Sequence, residues 1–411
     1  MDQYPVLKRM ADAIYGEVLL CRDSATFDIV AVKKIHMHRA VQRLSGVNTN
    51  AVLHEDVRFE LEVNHRVQLA GGHPHICRLR HDFTYDHLDA TSKVPQPILA
   101  MVFDYCPHGE LLTTLSEAKQ FPEMVALRYV AQIGQAIDFL HHLHIAHRDI
   151  SLENILLDGN YRAKLCDFGL ACDVHTVQTS PVGKLLYMAP EVLAGEEYSP
   201  SQADMWSLGV ALFTMVVGHY PFHEASMHDP FYNVHARVGV ACLLRTHSVG
   251  YLSVELQNLL AKLLHVNPRE RLQCHQVLAH PLIEPFVDDD FDTTSFSTVS
   301  LDNDSRVVVD SPKSDTAGNV HEPHKYQGSH IRLKKSPPSQ AFNSPGKPVP
   351  PVIPADMDSL QLDEKLLAVP LHRSTHTALS QSSVGPSTKG SFKLFWKQKV
   401  QAWRHRWRGK V

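Results

Sequence analysis

HRDISLEN, residues His147–Asn154, is the stretch that decides the fold. Within it, Asp149 and Asn154 lie five residues apart. A carboxylate can take the proton of an attacking hydroxyl, and an amide oxygen is a hard ligand of the kind that Mg²⁺ binds. The stretch therefore offers candidates for a base and for a hard metal ligand.

Two further features carry matching chemistry. Asp167 opens a DFG triplet after the apolar run Ala163–Cys166, which places its carboxylate at the end of a predicted strand. Lys33 follows the β-rich run Val30–Val32, so it can project from a rigid strand toward a phosphate. Phosphoryl transfer needs metal ligands, a cation on the phosphates and a carboxylate beside the attacking hydroxyl, and the chain offers candidates for each.

These motifs, in this order, closely resemble the signature set of eukaryotic protein kinases of the Ser/Thr type. The resemblance covers residues 4–286. It implies an α+β bilobal protein-kinase-like fold, with a small β-rich N-lobe and a larger helical C-lobe. It also implies ATP and Mg²⁺ as cofactors and a protein as substrate. The segments at residues 219–222 and 280–282 are loosely similar to the calcium/calmodulin-dependent kinase group.

The resemblance assigns catalytic roles residue by residue. Lys33 is expected to hold the α- and β-phosphates and to pair with a glutamate on the next helix. Glu60 has the better apolar spacing for that helix, and Glu62 is the alternative. In the two central motifs, the expected base is Asp149 and the expected magnesium ligands are Asn154 and Asp167.

The nucleotide pocket implied by the resemblance joins the first strands to the segment between the lobes. Phe103 is the expected gatekeeper, and the backbone of Asp104 and Cys106 is expected to meet the adenine. Glu110 is expected at the ribose and Leu156 beneath the adenine ring. The other expected ATP contacts are Met10, Ala11, Ala13, Gly16, Val18, Ala31 and Lys33.

The phosphate-binding loop departs from the family pattern. The pattern G-x-G-x-x-G-x-V is replaced by ADAIYGEV at residues 11–18, so two of the three glycines are alanine, Ala11 and Ala13. Glycine permits close backbone approach to a phosphate and unusual φ values. Because a strand tolerates alanine, we expect weakened ATP affinity and not its loss.

A second departure involves two positions at once. Ser151 stands where Ser/Thr kinases carry a lysine, and Lys184, after Gly183, stands where they carry a threonine. In the family fold these two side chains meet beside the catalytic aspartate. The hypothesis is that Lys184 supplies the charge near the γ-phosphate that Ser151 cannot supply. The alternative is that Lys184 points to solvent and the site is impaired.

Substrate choice and turnover are each open to two interpretations. Tyr187 before MAPE favours a Ser/Thr substrate, while Lys184 departs from the Ser/Thr pattern. Glu110 and Glu153 resemble acids that recognise a basic substrate residue, and the third such position is Thr214. The altered loop and Ser151 keep a pseudokinase, a binding scaffold without turnover, as the alternative to an active enzyme.

The rest of the chain differs in character from residues 4–286. Residues 287–390 are rich in Ser, Pro and Asp and predict a disordered linker. In residues 391–411, seven lysines and arginines combine with apolar side chains at helical spacing. This pattern predicts a basic aromatic amphipathic helix that binds an anionic membrane surface or calmodulin. It is also compatible with an autoinhibitory segment or with a chain end that has no partner. The apolar positions are Phe392, Trp396, Val400, Trp403 and Trp407.

Bulk composition limits partners and location. A formal net charge of -4 gives no whole-chain signal for nucleic acid, so none is expected as a partner. Seven dispersed cysteines predict reduced thiols, and no apolar run is long enough to span a bilayer. The expected location is cytoplasmic, with the tail as a means of peripheral attachment to a membrane.

Overall fold

A computed structural model describes residues 1–42, 54–88 and 95–287. These residues form an antiparallel sheet with two helices, followed by a mainly helical part. This is the two-lobed α+β arrangement that the sequence predicted. The predicted tail helix at 391–411 and the predicted linker beyond residue 287 lie outside the described residues, so both remain predictions.

The N-terminal lobe is a five-stranded sheet with the strand order β1-β2-β3-β5-β4. On β3, Val30 and Val32 are buried on one face, whereas Ala31 and Lys33 lie on the opposite, partly open face. The period of two along this strand therefore aims Lys33 into the space between the lobes. The elements are β1 Val6–Ala13, β2 Gly16–Arg22, β3 Ile29–His36, α1 Met37–Gln42, α2 Val57–Leu69, β4 Leu79–Leu88 and β5 Pro95–Asp104.

The C-terminal lobe is built around a helix, α6, that is buried on every side. Its helices are α3 Leu111–Ala118, α4 Glu123–His142, α5 Pro190–Ala194, α6 Pro200–Val217, α7 Pro230–Val238, α8 Val240–Thr246, α9 Val254–Leu263 and α10 Cys274–Leu278. Short strands lie at the surface that faces the N-terminal lobe: β6 Ile145–Ala146, β7 Ile155–Leu157, β8 Ala163–Leu165 and β9 Cys172–Asp173. Two 3-10 turns complete it: Leu185–Tyr187 and Glu284–Phe286.

The β7–β8 hairpin places two of the predicted site residues next to each other. Asn154 comes directly before β7, and Asp167 follows β8 by two residues. Ile155 pairs with Leu165, and the Cys166 N–H donates to the Asn154 carbonyl at 3.0 Å. The antiparallel pairing thus brings together two side chains that are distant in sequence.

A buried ion pair joins α5 to the segment before α10. Both guanidinium NH groups of Arg271 donate to Glu191, at 2.8 and 3.1 Å, and the arginine side chain is 0% exposed. The guanidinium also lies 5.1 Å from the ring centre of Trp206. These contacts tie α5 and the segment before α10 to Trp206 on α6.

Arg271→Met is expected to lower the free energy of unfolding by about 3–5 kcal/mol, because it leaves the Glu191 carboxylate buried without its partner. Urea unfolding followed by circular dichroism measures the change. Arg269→Met, at an exposed neighbouring position, is the matched control and is expected to change stability by less than about 0.5 kcal/mol. Equal stability of the two variants would contradict a structural role for the pair.

Candidate active site

Lys33 forms the ion pair that connects β3 to α2. Its Nζ lies 2.5 Å from Glu60 Oε1 and 3.1 Å from Asp167 Oδ1. Glu60 is 2% exposed, whereas the Glu62 side chain is 59% exposed and faces Arg66 at 4.0 Å. The geometry therefore selects Glu60, and not Glu62, as the partner of the strand lysine.

The charges around Lys33 fix its protonation state. Burial acts to lower the pKa of Lys33, but the carboxylates of Asp167 and Glu60 raise it well above the ordinary value. For Asp167, burial acts to raise the pKa of the carboxyl, and Lys33 lowers it to a net value of about 2. The site accordingly holds an ammonium and an ionised carboxylate at any working pH.

The start of α2 is tied to the DFG segment. Asp56 caps the helix by accepting the backbone N–H groups of Arg58 and Phe59. The Asp56 N–H in turn donates to the Gly169 carbonyl at 2.9 Å. The position of the Lys33–Glu60 pair is therefore coupled to that of the segment that carries Asp167.

Asp204 on α6 holds the catalytic stretch, residues 147–154, in place. The two carboxylate oxygens of Asp204 accept the backbone N–H groups of His147 at 2.9 Å and Arg148 at 2.8 Å. His141 at the end of α4 also contacts this carboxylate, at 3.0 Å. Arg148 has a φ of 64°, which turns the chain so that Asp149 faces the space between the lobes.

Asn154 orients Asp149 through its amide. Its Nδ2 donates to the Asp149 Oδ2 at 2.7 Å and to the Asp149 carbonyl at 2.9 Å. Because these two acceptors require the NH₂ group to face Asp149, the Oδ1 atom of Asn154 points away from it. That oxygen is the one that can reach a cation.

The donor set at Asn154 and Asp167 fits Mg²⁺. An amide oxygen and an ionised carboxylate are hard ligands, and Mg²⁺ is usually held by one or two protein carboxylates together with phosphate oxygens and water. Among residues 1–42, 54–88 and 95–287, no group of three or more His, Cys, Asp or Glu side chains is arranged to hold a metal.

Lys184 enters the site from the activation segment, the stretch of chain from the DFG motif at Asp167 to Glu191. Its Nζ lies 2.7 Å from Asp149 Oδ2 and 2.9 Å from Ser151 Oγ, and its backbone N–H donates to Asp149 Oδ1 at 3.0 Å. The lysine side chain is 14% exposed, so it does not point to solvent. Gly183 permits this approach, because a Cβ at its φ of 97° would lie 2.6 Å from the Arg148 carbonyl oxygen.

The surroundings of Lys184 keep it charged. Burial acts to lower the pKa of Lys184, but the carboxylates of Asp149 and Glu153 raise it above its usual range. The side chain is therefore an ammonium held beside the predicted base. Ser151, which is fully buried, has the hydroxyl oxygen that this ammonium contacts.

The predicted adenine contacts line the cleft between the lobes. Val18 pairs with Lys33 and Ala31 pairs with Phe103 across neighbouring strands. Leu156 forms an isolated bridge with Glu110 on the other side of the cleft. Val18, Ala31, Phe103 and Leu156 are all half-buried, as expected for an apolar surface open to a flat ring. The segment that connects the lobes starts after Asp104, at the end of β5, and within it the Cys106 side chain is buried.

The phosphate-loop hairpin is a tight turn between β1 and β2. Ala11 lies opposite Val18, and Ala13 lies opposite Gly16. A Cβ at Gly16 would collide with the Lys34 carbonyl oxygen, so the remaining glycine is required by the close approach of β3. Met10, near the end of β1, is 42% exposed.

The sequence did not predict the contact between Tyr15, at the tip of this hairpin, and Glu55, just before α2. Tyr15 is 2% exposed, its carbonyl accepts the His36 N–H at 2.9 Å, and its hydroxyl donates to the Glu55 carbonyl at 3.3 Å. The Glu55 side chain lies near Gly169, and burial together with Asp167 raises the pKa of its carboxyl to about 8. No local pattern marks these contacts, because they arise where the hairpin tip meets the start of α2.

Tyr187 connects Glu153 to Tyr220 through its hydroxyl. The Tyr187 hydroxyl lies 3.1 Å from Glu153 Oε2 and 3.2 Å from the Tyr220 hydroxyl. Thr214 is 2% exposed and its hydroxyl donates to the Val210 carbonyl at 2.7 Å. Thr214 therefore does not replace the acid that the family carries at this position.

Comparison with known proteins assigns this site to a family. A family model described as the protein kinase domain matches residues 4–283. The chain belongs to the protein kinase family. An aurora kinase from Schizosaccharomyces pombe is 31% identical to this kinase over 291 residues, which are 70% of this chain and 73% of the relative.

Further relatives of this kinase are plant Ser/Thr kinases. The serine/threonine-protein kinase SAPK2 of Oryza sativa subsp. indica is 32% identical over 286 residues, 68% of this chain and 76% of the relative. The serine/threonine-protein kinase SRK2A of Physcomitrium patens is 33% identical over 286 residues, 68% of this chain and 73% of the relative. The fold prediction and the Ser/Thr kinase prediction are confirmed, and the pseudokinase alternative is not favoured.

The relatives identify the family of this kinase but not its subgroup. The likeness to the calcium/calmodulin-dependent group is not specifically supported by these relatives and stays a prediction. Protein kinases generally use ATP and Mg²⁺ and act on protein substrates. Within the described residues of this kinase, no helix is long and apolar enough to cross a membrane.

Proposed function

We propose that this kinase phosphorylates Ser/Thr hydroxyls of proteins with a catalytic centre shared between Asp149, Lys33 and Lys184. The observation that carries the proposal is the position of Lys184 Nζ, 2.7 Å from Asp149 and 2.9 Å from Ser151. An ammonium at that place stands beside the hydroxyl that is activated and the phosphoryl group that it attacks.

Each residue has one task in the proposed reaction. Mg²⁺, when bound by Asn154 and Asp167 with the phosphates, supplies charge neutralisation at the β- and γ-phosphoryl oxygens. Lys33, held by Glu60, binds the α- and β-phosphate oxygens. Asp149 Oδ1 has a second lone pair beside the one that accepts the Lys184 N–H, and this lone pair receives the proton of the substrate hydroxyl.

Lys184 contributes charge and position. Its ammonium stabilises negative charge on the transferring phosphoryl oxygens while its contacts to Asp149 and Ser151 fix its place. The ion pair is compatible with Asp149 as the base, because a loose phosphoryl-transfer transition state needs little proton abstraction. In this proposal, catalysis requires the activation segment to be in place, since that segment brings the ammonium.

Removal of the Mg²⁺ ligand Asp167 is expected to uncouple nucleotide binding from the metal. In wild type, we expect Mg²⁺ to raise the affinity for a fluorescent ATP analogue, because Asp167 would help to hold the ion that neutralises the phosphates. Asp167→Asn is expected to lose that increase and to lower turnover by at least about 10²-fold. Titration of Mg²⁺ at fixed nucleotide measures the coupling, and an unchanged Mg²⁺ response in the variant would contradict the assignment.

We also propose that residues 391–411 attach the cytoplasmic kinase peripherally to an anionic membrane surface. Seven positive charges and three tryptophans within this segment support the proposal. Full-length kinase is expected to sediment with vesicles that contain phosphatidylserine, and kinase truncated after residue 390 is expected to stay in the supernatant. Binding of the tail to Ca²⁺-calmodulin with no binding to vesicles would select calmodulin as the partner instead.

A further inference from the structure

Two histidines meet on the surface where the activation segment leaves the DFG motif. His144 Nδ1 and His175 Nε2 share a hydrogen bond of 3.1 Å, and the ring centroids lie 4.8 Å apart. Both residues are exposed. They are distant in sequence and are brought together by the pairing of β6 with β9, in which Ile145 lies opposite Asp173.

The distances match those of two imidazoles on one transition-metal ion. Zn²⁺ binds imidazole nitrogen at about 2.0–2.1 Å, so two nitrogens 3.1 Å apart subtend an angle of about 98° at the ion. With each ring centre about 1.1 Å behind its nitrogen, the same geometry places the centres about 4.8 Å apart. The observed separation of the ring centroids is 4.8 Å, so both nitrogens can face a common point.

The backbone on each side of the pair is held in place. The His144 N–H donates to the His141 carbonyl at 3.0 Å, and the His144 carbonyl accepts the Val174 N–H at 3.1 Å. The His175 N–H donates to Asp173 Oδ1 at 2.7 Å. Little conformational entropy is therefore lost when an ion binds both rings, which is the condition for useful chelation.

We propose that His144 and His175 form a bidentate site for a divalent transition-metal ion, with Zn²⁺ as the ion that fits. Zn²⁺ has no geometric preference from d-electrons, so it accepts an angle between the octahedral value of about 90° and the tetrahedral value of about 109°. Water completes the coordination shell on the exposed side. This proposal does not depend on the catalytic roles assigned above.

Cys172 is not a ligand in this proposal. Burial raises the pKa of the Cys172 thiol to about 11, so forming the thiolate that a metal binds would cost free energy at neutral pH. In this proposal the ion is held by two neutral imidazoles, and its affinity is expected to be lower than that of a structural four-ligand zinc site. The carboxylate of Asp173, next to His175, favours a cation in this region.

A metal at this place would connect the catalytic stretch to the activation segment. His144 directly precedes β6, and His175 follows β9, ahead of the part of the segment that carries Lys184. An ion bound to both rings reinforces the hydrogen bond between the Val174 N–H and the His144 carbonyl. Binding is therefore expected to slow amide exchange at Val174.

The test measures binding of ZnCl₂ to the full-length protein by calorimetry, without nucleotide or Mg²⁺. The variants are His144→Gln, His175→Gln and, as matched control at another exposed histidine, His228→Gln. The chain has 28 histidines, so Zn²⁺ is expected to bind weakly at other histidines too. The contribution of the His144–His175 pair is therefore measured as the difference between variants. Wild type and the control are expected to share one site that each pair variant weakens by at least about tenfold.

Amide exchange gives a second measurement that background binding does not affect. Zn²⁺ is expected to slow exchange at Val174 in wild type and in His228→Gln, and to leave it unchanged in His144→Gln. Two results overturn the proposal: identical Zn²⁺ titrations for wild type and both pair variants, or loss of binding without any change in exchange at Val174, which would indicate an adventitious ion only. Thermal unfolding of each variant verifies that the fold is intact.

Discussion

Lys184→Ala is expected to lower kcat by about 10²–10³-fold, the effect of removing one well-placed charged donor from a transition state. The reason is geometric, because the Lys184 ammonium lies 2.7 Å from the carboxylate of Asp149. KM for ATP is expected to change little, since Lys33 and not Lys184 holds the α- and β-phosphates in the proposed site. Steady-state phosphorylation of a generic Ser/Thr substrate measures both constants.

Two control variants distinguish loss of the Lys184 charge from a general loss of structure. Ser151→Ala removes the hydroxyl that contacts Lys184 at 2.9 Å and is expected to lower kcat by less than about fivefold, because the ammonium remains. Lys262→Ala, at an exposed position on α9, is expected to behave as wild type. Small and equal effects of Lys184→Ala and Ser151→Ala would contradict the proposed role.

Asp149→Asn is expected to lower turnover by about 10²–10⁴-fold, the usual contribution of a positioned general base. The side chain keeps its size, but it can no longer take the substrate proton or form an ion pair with Lys184. Binding of a fluorescent ATP analogue is expected to stay within about threefold of wild type, because Lys33, Asn154 and Asp167 are unchanged. The assay uses Mg²⁺ and ATP with wild type and variant in parallel.

The same assay decides between turnover and binding alone. A pseudokinase would give the same background phosphorylation for wild type and Asp149→Asn, together with normal nucleotide binding. A large drop in the variant assigns the measured activity to this chain and not to a contaminant. Detection of the phosphorylated Ser or Thr by mass spectrometry completes the result.

Much of the site was predictable because its residues lie in short, ordered motifs. Asp149 and Asn154 are five residues apart, so any fold that forms their loop brings them together. The preference for Glu60 over Glu62 followed from helical periodicity, which places one of the two on the buried face. The meeting of Ser151 with Lys184 followed from the family resemblance, and the structure places the two side chains in contact.

Several contacts could not be predicted because they depend on how separate elements pack. Tyr15 and Glu55 meet only where the β1–β2 hairpin reaches the start of α2. The role of Gly16 is similar, because the carbonyl that excludes a Cβ there belongs to Lys34 on the neighbouring strand. His144 and His175 become neighbours through a two-residue strand pairing, which no hydrophobic period reveals.

In the proposed site, the ammonium beside the base has moved from residues 147–154 to the activation segment. Exchanging the two residues tests it most directly, by comparing kcat of Lys184→Thr with that of the double variant Ser151→Lys/Lys184→Thr. We predict a loss of about 10²–10³-fold in the single variant. In the double variant we predict recovery to within about tenfold of wild type, because position 151 then supplies the ammonium. A double variant as inactive as the single one, with nucleotide binding and folding intact, would contradict it.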